Sequence, residues 1–194
     1  MHPAAPQGYP LDRQLVAWEV VGMAGEKSGP QPYHRTTSLE FLNRCSPKIA
    51  SFYRFWESKL NGRRMPARGD FDPLEMKEWL PGIVLVDVEH NPLRLTYRLV
   101  GTRSVSLKQR DVTGQRVEEG YHGSSLDEIL ENYRQVIAGR CPVYDWEVEV
   151  SQDRHLEDSE TLLLPLSNDG AAVNMVMVYF ELNPHIDDGG ERLR

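Results

Sequence analysis

The alternation of apolar and polar positions divides the chain into an unpatterned opening and a patterned remainder that begins near residue 46. Ile49, Phe52, Tyr53, Trp56 and Leu60 recur at helical spacing behind Ser46-Pro47, and Gly62 supplies a stop. The pattern predicts an amphipathic helix with an aromatic stripe. A second, shorter helix is predicted from Asp72-Pro73-Leu74-Glu75, which has capping-box spacing, and it ends before Pro81. Residues 82–89 form an almost continuous apolar run and read as a strand. In the next strand, residues 93–100, Leu93, Leu95, Tyr97 and Leu99 alternate with Arg94, Thr96 and Arg98. His90-Asn91-Pro92 between the two suits a hairpin turn.

A mixed stretch follows, with a short helix near residues 104–107 and a turn at Thr113-Gly114. A better helix runs over residues 125–138. Ser125 and Glu128 have capping-box spacing, Leu126, Ile129, Leu130, Tyr133, Val136 and Ile137 share one face, and Gly139 closes it. Three strands end the chain. In residues 143–150, Tyr144, Trp146, Val148 and Val150 oppose Asp145, Glu147 and Glu149. Residues 161–166 are nearly all leucine. Residues 172–182 set Val173, Met175, Met177 and Tyr179 against Val176, Val178, Phe180 and Leu182, with a hairpin turn at Ser167-Asn168-Asp169-Gly170 before them.

Two strands, a helical middle and three strands make an α+β layout, an antiparallel sheet with helices on one face. Strands covered on both sides read as apolar runs, whereas edge or half-covered strands alternate. The first, fourth and fifth strands are runs, and the second and third alternate. That places the alternating pair at the edges and gives the order 2-1-5-4-3. The domain plan is then a Pro- and Gly-rich flexible arm over 1–45, a helical flank over 46–81, the sheet-bearing core over 82–183 and a polar tail over 184–194.

Charge and composition narrow the function. A formal charge of −7 argues against a nucleic-acid surface, which needs clustered Lys and Arg. Cys45 and Cys141 belong to no CxxC spacing, so reduced thiols in the cytoplasm are expected. The apolar run at residues 15–21 is too short for a membrane span and lacks the basic flank of a signal peptide. The six histidines, His2, His34, His90, His122, His155 and His185, never fall two to a helix or strand face, so no metal site is expected. Arg63, Arg64 and Arg68 followed by Asp70 and Asp72 read as a local ion-pair and capping network, with an anion site as the alternative. Asp145, Glu147 and Glu149 read as a solvated edge face, with an acidic patch for a basic partner as the alternative.

The segments Phe55-Trp56-Glu57, Arg64-Met65-Pro66-Ala67-Arg68, Asp72-Pro73-Leu74-Glu75, Leu80-Pro81, Tyr97-Arg98-Leu99-Val100-Gly101-Thr102, Arg110-Asp111-Val112-Thr113-Gly114 and Leu164-Pro165-Leu166-Ser167-Asn168-Asp169-Gly170 occur in an order that resembles a short, stand-alone bacterial branch of the PAS domain superfamily. The resemblance covers about residues 49–182. It implies a signal-sensing or interaction module that works through another signalling protein, with a small-molecule pocket between sheet and helices, and no cofactor is identified by it. The flavin-binding branch carries an Asn-Cys motif in its helical middle, where this chain has no cysteine. Haem branches use a histidine on the long helix, and His122 falls just before that helix.

A pocket under this reading is formed by Leu130, Tyr133 and Ile137 on the helix, Tyr97, Leu99 and Trp146 on the strands, and Met175 and Met177 on the last strand. Arg103 is the candidate polar anchor at its mouth. A filled, ligand-free core is the alternative. Phe52, Tyr53 and Trp56 are expected either to cover the sheet or to form a homodimer contact. The rival function, a small α+β isomerase- or hydrolase-like enzyme, requires an acid in the apolar cavity, and this assignment of faces puts none there.

Overall fold

The computed structural model describes residues 33–121, 125–150 and 156–184. Its strands are β1 (Tyr33–Thr36), β2 (Ile83–Glu89), β3 (Arg94–Val100), β4 (Val143–Val150), β5 (Leu156–Leu166) and β6 (Met175–Pro184), and its helices are α1 (Pro47–Ser58), α2 (Thr102–Lys108), α3 (Val117–Gly120) and α4 (Leu126–Gly139). The sheet order is β1-β4-β5-β6-β2-β3, with every neighbouring pair antiparallel. The α+β class and the predicted sequence of the five long strands hold.

A sixth strand corrects the edges. Tyr33–Thr36 pairs with Tyr144–Glu147, so β3 is an edge strand and β4 is not. The end of the expected flexible arm is therefore built into the fold, since a 3-10 turn at Leu39–Asn43 follows β1. Residues 1–32 of that arm, the tail from 185 and the loop holding His122 lie outside the described residues.

Two apolar layers sandwich the sheet. On its outer face, α1 begins with the Ser46 hydroxyl accepting from the Ile49 amide and Pro47 at the first helical position. Its stripe covers Ile83, Leu85, Leu162, Leu164, Met177 and Tyr179. Phe52 packs 4.8 Å from the Tyr179 ring, and the Trp56 indole donates to the Pro165 carbonyl at 3.3 Å. On the inner face, Val84, Val86, Leu95, Leu163, Val176 and Val178 meet Tyr133 and Val136 of α4. The Ser125 hydroxyl caps α4 through the Glu128 amide, as the spacing predicts, but the helix stops at Arg140, which adopts the left-handed conformation one residue after Gly139.

Two local expectations fail. Residues 72–79 form successive turns instead of a helix: Asp72 Oδ1 accepts from the Leu74 amide, two residues on, in place of a capping-box bond. In β3 the pairing slips by one residue opposite Leu85 and Val86, leaving Arg98 as the extra residue. A bulge of this kind reverses the faces beyond it, so Tyr97 points to the inner core and Leu99 meets Leu85 on the outer side. The Arg63–Asp72 segment behaves as the predicted capping network: Asp70 accepts from Arg63 at 2.5 Å and from the Ala67 amide at 2.7 Å.

Candidate functional site: an inner cavity with an acidic end

Between the inner sheet face and helices α2 and α4 lies a cavity of about 150 Å³. Val84, Leu163 and Val178 form its apolar floor, and Leu107 and Ile129 form part of its roof. One end is polar. Alternation along β4 sends Val143, Asp145 and Glu147 inward and Tyr144 outward against Phe41. Asp145 is 6% exposed. Its Oδ2 accepts from the Asn132 side chain and, at 3.3 Å, from the Tyr33 hydroxyl, and Thr161 adds a further hydrogen bond. Burial, then the like charge of Glu147, pushes the Asp145 carboxyl up to about 7.

Strand β1 borders this end. The Tyr33 hydroxyl shares its one proton between Asp145 and Asn132 Oδ1, the latter at 3.0 Å, and Arg35 spans to α4, reaching Asn132 and the Glu128 carboxylate, with a 2.9 Å bond to the Glu128 carbonyl. Burial, followed by the negative charge of Asp145, drives the Tyr33 phenol well above its ordinary range. At the other end, Lys108 donates to the Gly120 carbonyl at 2.6 Å and sits 4.6 Å over the Tyr97 ring. Burial, then the neighbouring Arg110 charge, lowers the Lys108 ammonium to about 8. Gly120 is required here, since a Cβ on it would come within 2.9 Å of the Tyr97 ring.

Of the residues predicted for the pocket, the structure brings Tyr97 and Tyr133 into the cavity lining. Leu130 and Ile137 pack against the inner core behind them without lining it. The remaining five are corrected. The bulge sends Leu99 to a surface groove beside Asp87, Arg98 and Met175. Met175 and Met177 belong to the outer layer, because β6 turns Val176, Val178, Phe180 and Leu182 inward. Trp146 lies on the outer face beside His34, in a second cavity of about 270 Å³. Arg103 is used on Glu181, at 2.8 Å, and on the Phe180 carbonyl. Phe52, Tyr53 and Trp56 are at most 4% exposed and are covered by their own sheet.

The acidic face of β4 is also corrected, since Asp145 is buried in the cavity and not solvated. The side chain of Glu149 lies outside the described residues. Sequence reasoning missed Tyr33, Asn132 and Asp145. Asn132 borders the apolar face of α4, and Asp145 is singled out only as part of an outward acidic set.

Five long strands in the order 2-1-5-4-3, wrapped around helices and a small internal cavity, define a PAS-type fold. Residues 44–179 match the PAS domain family, and the chain belongs to it. Structures with a similar chain path include a light-oxygen-voltage domain studied with a flavin analogue (11% identity, TM-score 0.43, 61% of this chain and 87% of that one). An RNA-binding light-oxygen-voltage receptor (19%, 0.40, 60% and 35%) and the light state of the Aureochrome1 LOV domain (10%, 0.40, 61% and 92%) are similar as well. None of the curated proteins compared with the chain is significantly similar to it.

The cavity volume is about half the lower bound of the roughly 300–1,000 Å³ typical of drug-sized ligands. Neither cysteine lines it.

Proposed function

We propose that this PAS domain is a sensory and regulatory module whose inner cavity receives a small molecule, and that it signals by contact with another protein. The observation that carries the reading is the cavity itself: apolar walls, an acidic end bordered by β1 and the Lys108 ammonium at the other end. A small concave site with few convergent polar groups is what selective recognition of a small molecule requires. Asp145 is the buried acid that the enzyme reading asked for, but it serves as the acceptor of a hydrogen-bond network, and PAS-type relatives are sensory modules. Two free thiols support a reducing, cytoplasmic setting. With the aromatic stripe of α1 covering its own sheet, a homodimer through that helix would need the two chains to exchange helices.

Native mass spectrometry of protein purified without denaturation tests the ligand. The expected result is an added small mass that disappears in Val178→Phe, which fills the cavity floor. Repeated ligand-free spectra from the native host would overturn the reading.

A further inference from the structure

Three carboxylates, on Glu128, Asp145 and Glu147, line the polar end of the cavity. The guanidinium nearest to them, that of Arg35, is engaged by Glu128, Asn132 and Tyr33. Asp145 itself is met by neutral donors: the Asn132 amide and the hydroxyls of Tyr33 and Thr161. Neutral donors solvate a buried carboxylate without cancelling its charge, and a buried charge left uncompensated is costly. A second observation is independent of the acids. Tyr133 is 5% exposed and lines the cavity, and its hydroxyl has no hydrogen-bond partner among the described residues. Tyr33, Tyr97 and Tyr133 add three aromatic rings to the same walls.

We propose that the cavity selects a small planar organic cation of the amidinium or guanidinium class, bound by its N–H groups to the Asp145 carboxylate with the Tyr133 hydroxyl as a second acceptor. The proposal rests on the ligand-receiving reading above and names the chemistry of that ligand. A planar cation with parallel N–H donors pairs with a carboxylate in two simultaneous, charge-assisted bonds. Its positive face also gains from the tyrosine rings. A cavity of about 150 Å³ accommodates a single benzene-sized ring. The charged and titratable groups around Asp145 are Glu147 on its own strand, Tyr33 and Arg35 on β1, and Glu128 and Tyr133 on α4, with Tyr97 on β3 and Lys108 on α2 across the cavity.

Benzamidine, benzamide and benzoate share one shape and differ in charge, so calorimetric titration of the full chain with the three isolates that variable. Benzamidine is expected to bind at least about ten-fold more tightly than benzamide, and benzoate not at all. Between pH 6 and 8 benzamidine stays protonated while Asp145 ionises and Lys108 begins to lose its proton, so its affinity should rise by at least about ten-fold, a change the neutral benzamide does not share. Asp145→Asn should abolish the preference for benzamidine. Tyr133→Phe, which keeps the ring and its packing, should weaken benzamidine several-fold, and this readout stands even if Asp145→Asn does not fold.

Benzamide or benzoate binding as well as benzamidine would overturn the cation proposal while leaving a ligand cavity in place. Failure of all three to bind would overturn it too, and native mass spectrometry then decides the broader reading separately. Benzamidine binding unchanged in both variants would put the cation elsewhere and overturn the assignment.

Discussion

Asp145 shows how one side chain can set the pH response of the fold. Its folded-state pKa, raised to about 7, lies above that of the unfolded chain, so the native state holds a proton that the unfolded state has already lost. Stability contributed by this group therefore falls as pH rises from about 4 to 7 and is flat beyond. The Asp145→Asn variant removes the titration and keeps an acceptor for Tyr33. Thermal melts should show the wild type losing ground to the variant between pH 5 and pH 8. A variant less stable than wild type by the same margin at both pH values would show that Asp145 does not titrate in this range.

At the scale of elements, β1 is the edge strand that borders the acidic end of the cavity, which Tyr33 lines. It is four residues long, and beyond its ladder to β4 it is held through Tyr33 and Arg35. Arg35 is joined to the carbonyl and the carboxylate of Glu128, a charge-assisted pairing in a half-buried setting. Arg35→Ala should raise amide hydrogen exchange across residues 33–36 and 144–147 by about ten-fold or more while leaving β5 and β6 protected. Uniform exchange across all strands would show that β1 does not open independently. The sequence announces the long elements well, because α1, α4 and the two hairpins each carry a period, a cap or a turn of their own. It hides β1, whose Tyr-His-Arg-Thr has no apolar alternation, and it hides the phase of β6. A strand covered on both sides is apolar on both sides, so its period does not say which side faces the cavity. In β4 the rule of apolar-inward misleads, since α1 and the 3-10 turn give Tyr144 and Trp146 an apolar cover outside while the cavity inside is polar. Leu99 is lost for a separate reason: the bulge at Arg98 leaves no mark in the composition.

Over the whole molecule, the two layers are joined by a second buried acid that behaves in the opposite sense. Glu181, at the end of β6, is 5% exposed and receives Arg103 from α2 at 2.8 Å, Lys48 from α1 at 2.9 Å and the Tyr179 hydroxyl. Burial alone would raise its carboxyl, but the bonds from Tyr179, Arg103 and Lys48 outweigh that and hold it below the ordinary glutamate range. Its contribution to stability is thus present above the unfolded pKa and lost as pH falls through the lower folded value. The cation nearer the interior should matter more, since the Arg103 side chain is 28% exposed and that of Lys48 is 55% exposed. Urea denaturation at pH 7 should find that Arg103→Ala costs about 1–3 kcal/mol, whereas Lys48→Ala stays within about 1 kcal/mol. The Arg103 cost should shrink once acid protonates Glu181, because the charged partner is then gone. Equal costs for the two variants, or an Arg103 cost that persists in acid, would mean that α2 is held to the sheet by packing and not by this carboxylate. Because α2 also lines the cavity through Ser104, Leu107 and Lys108, the Glu181 junction is a charged, short-range connection between a wall of that cavity and the outer helix α1.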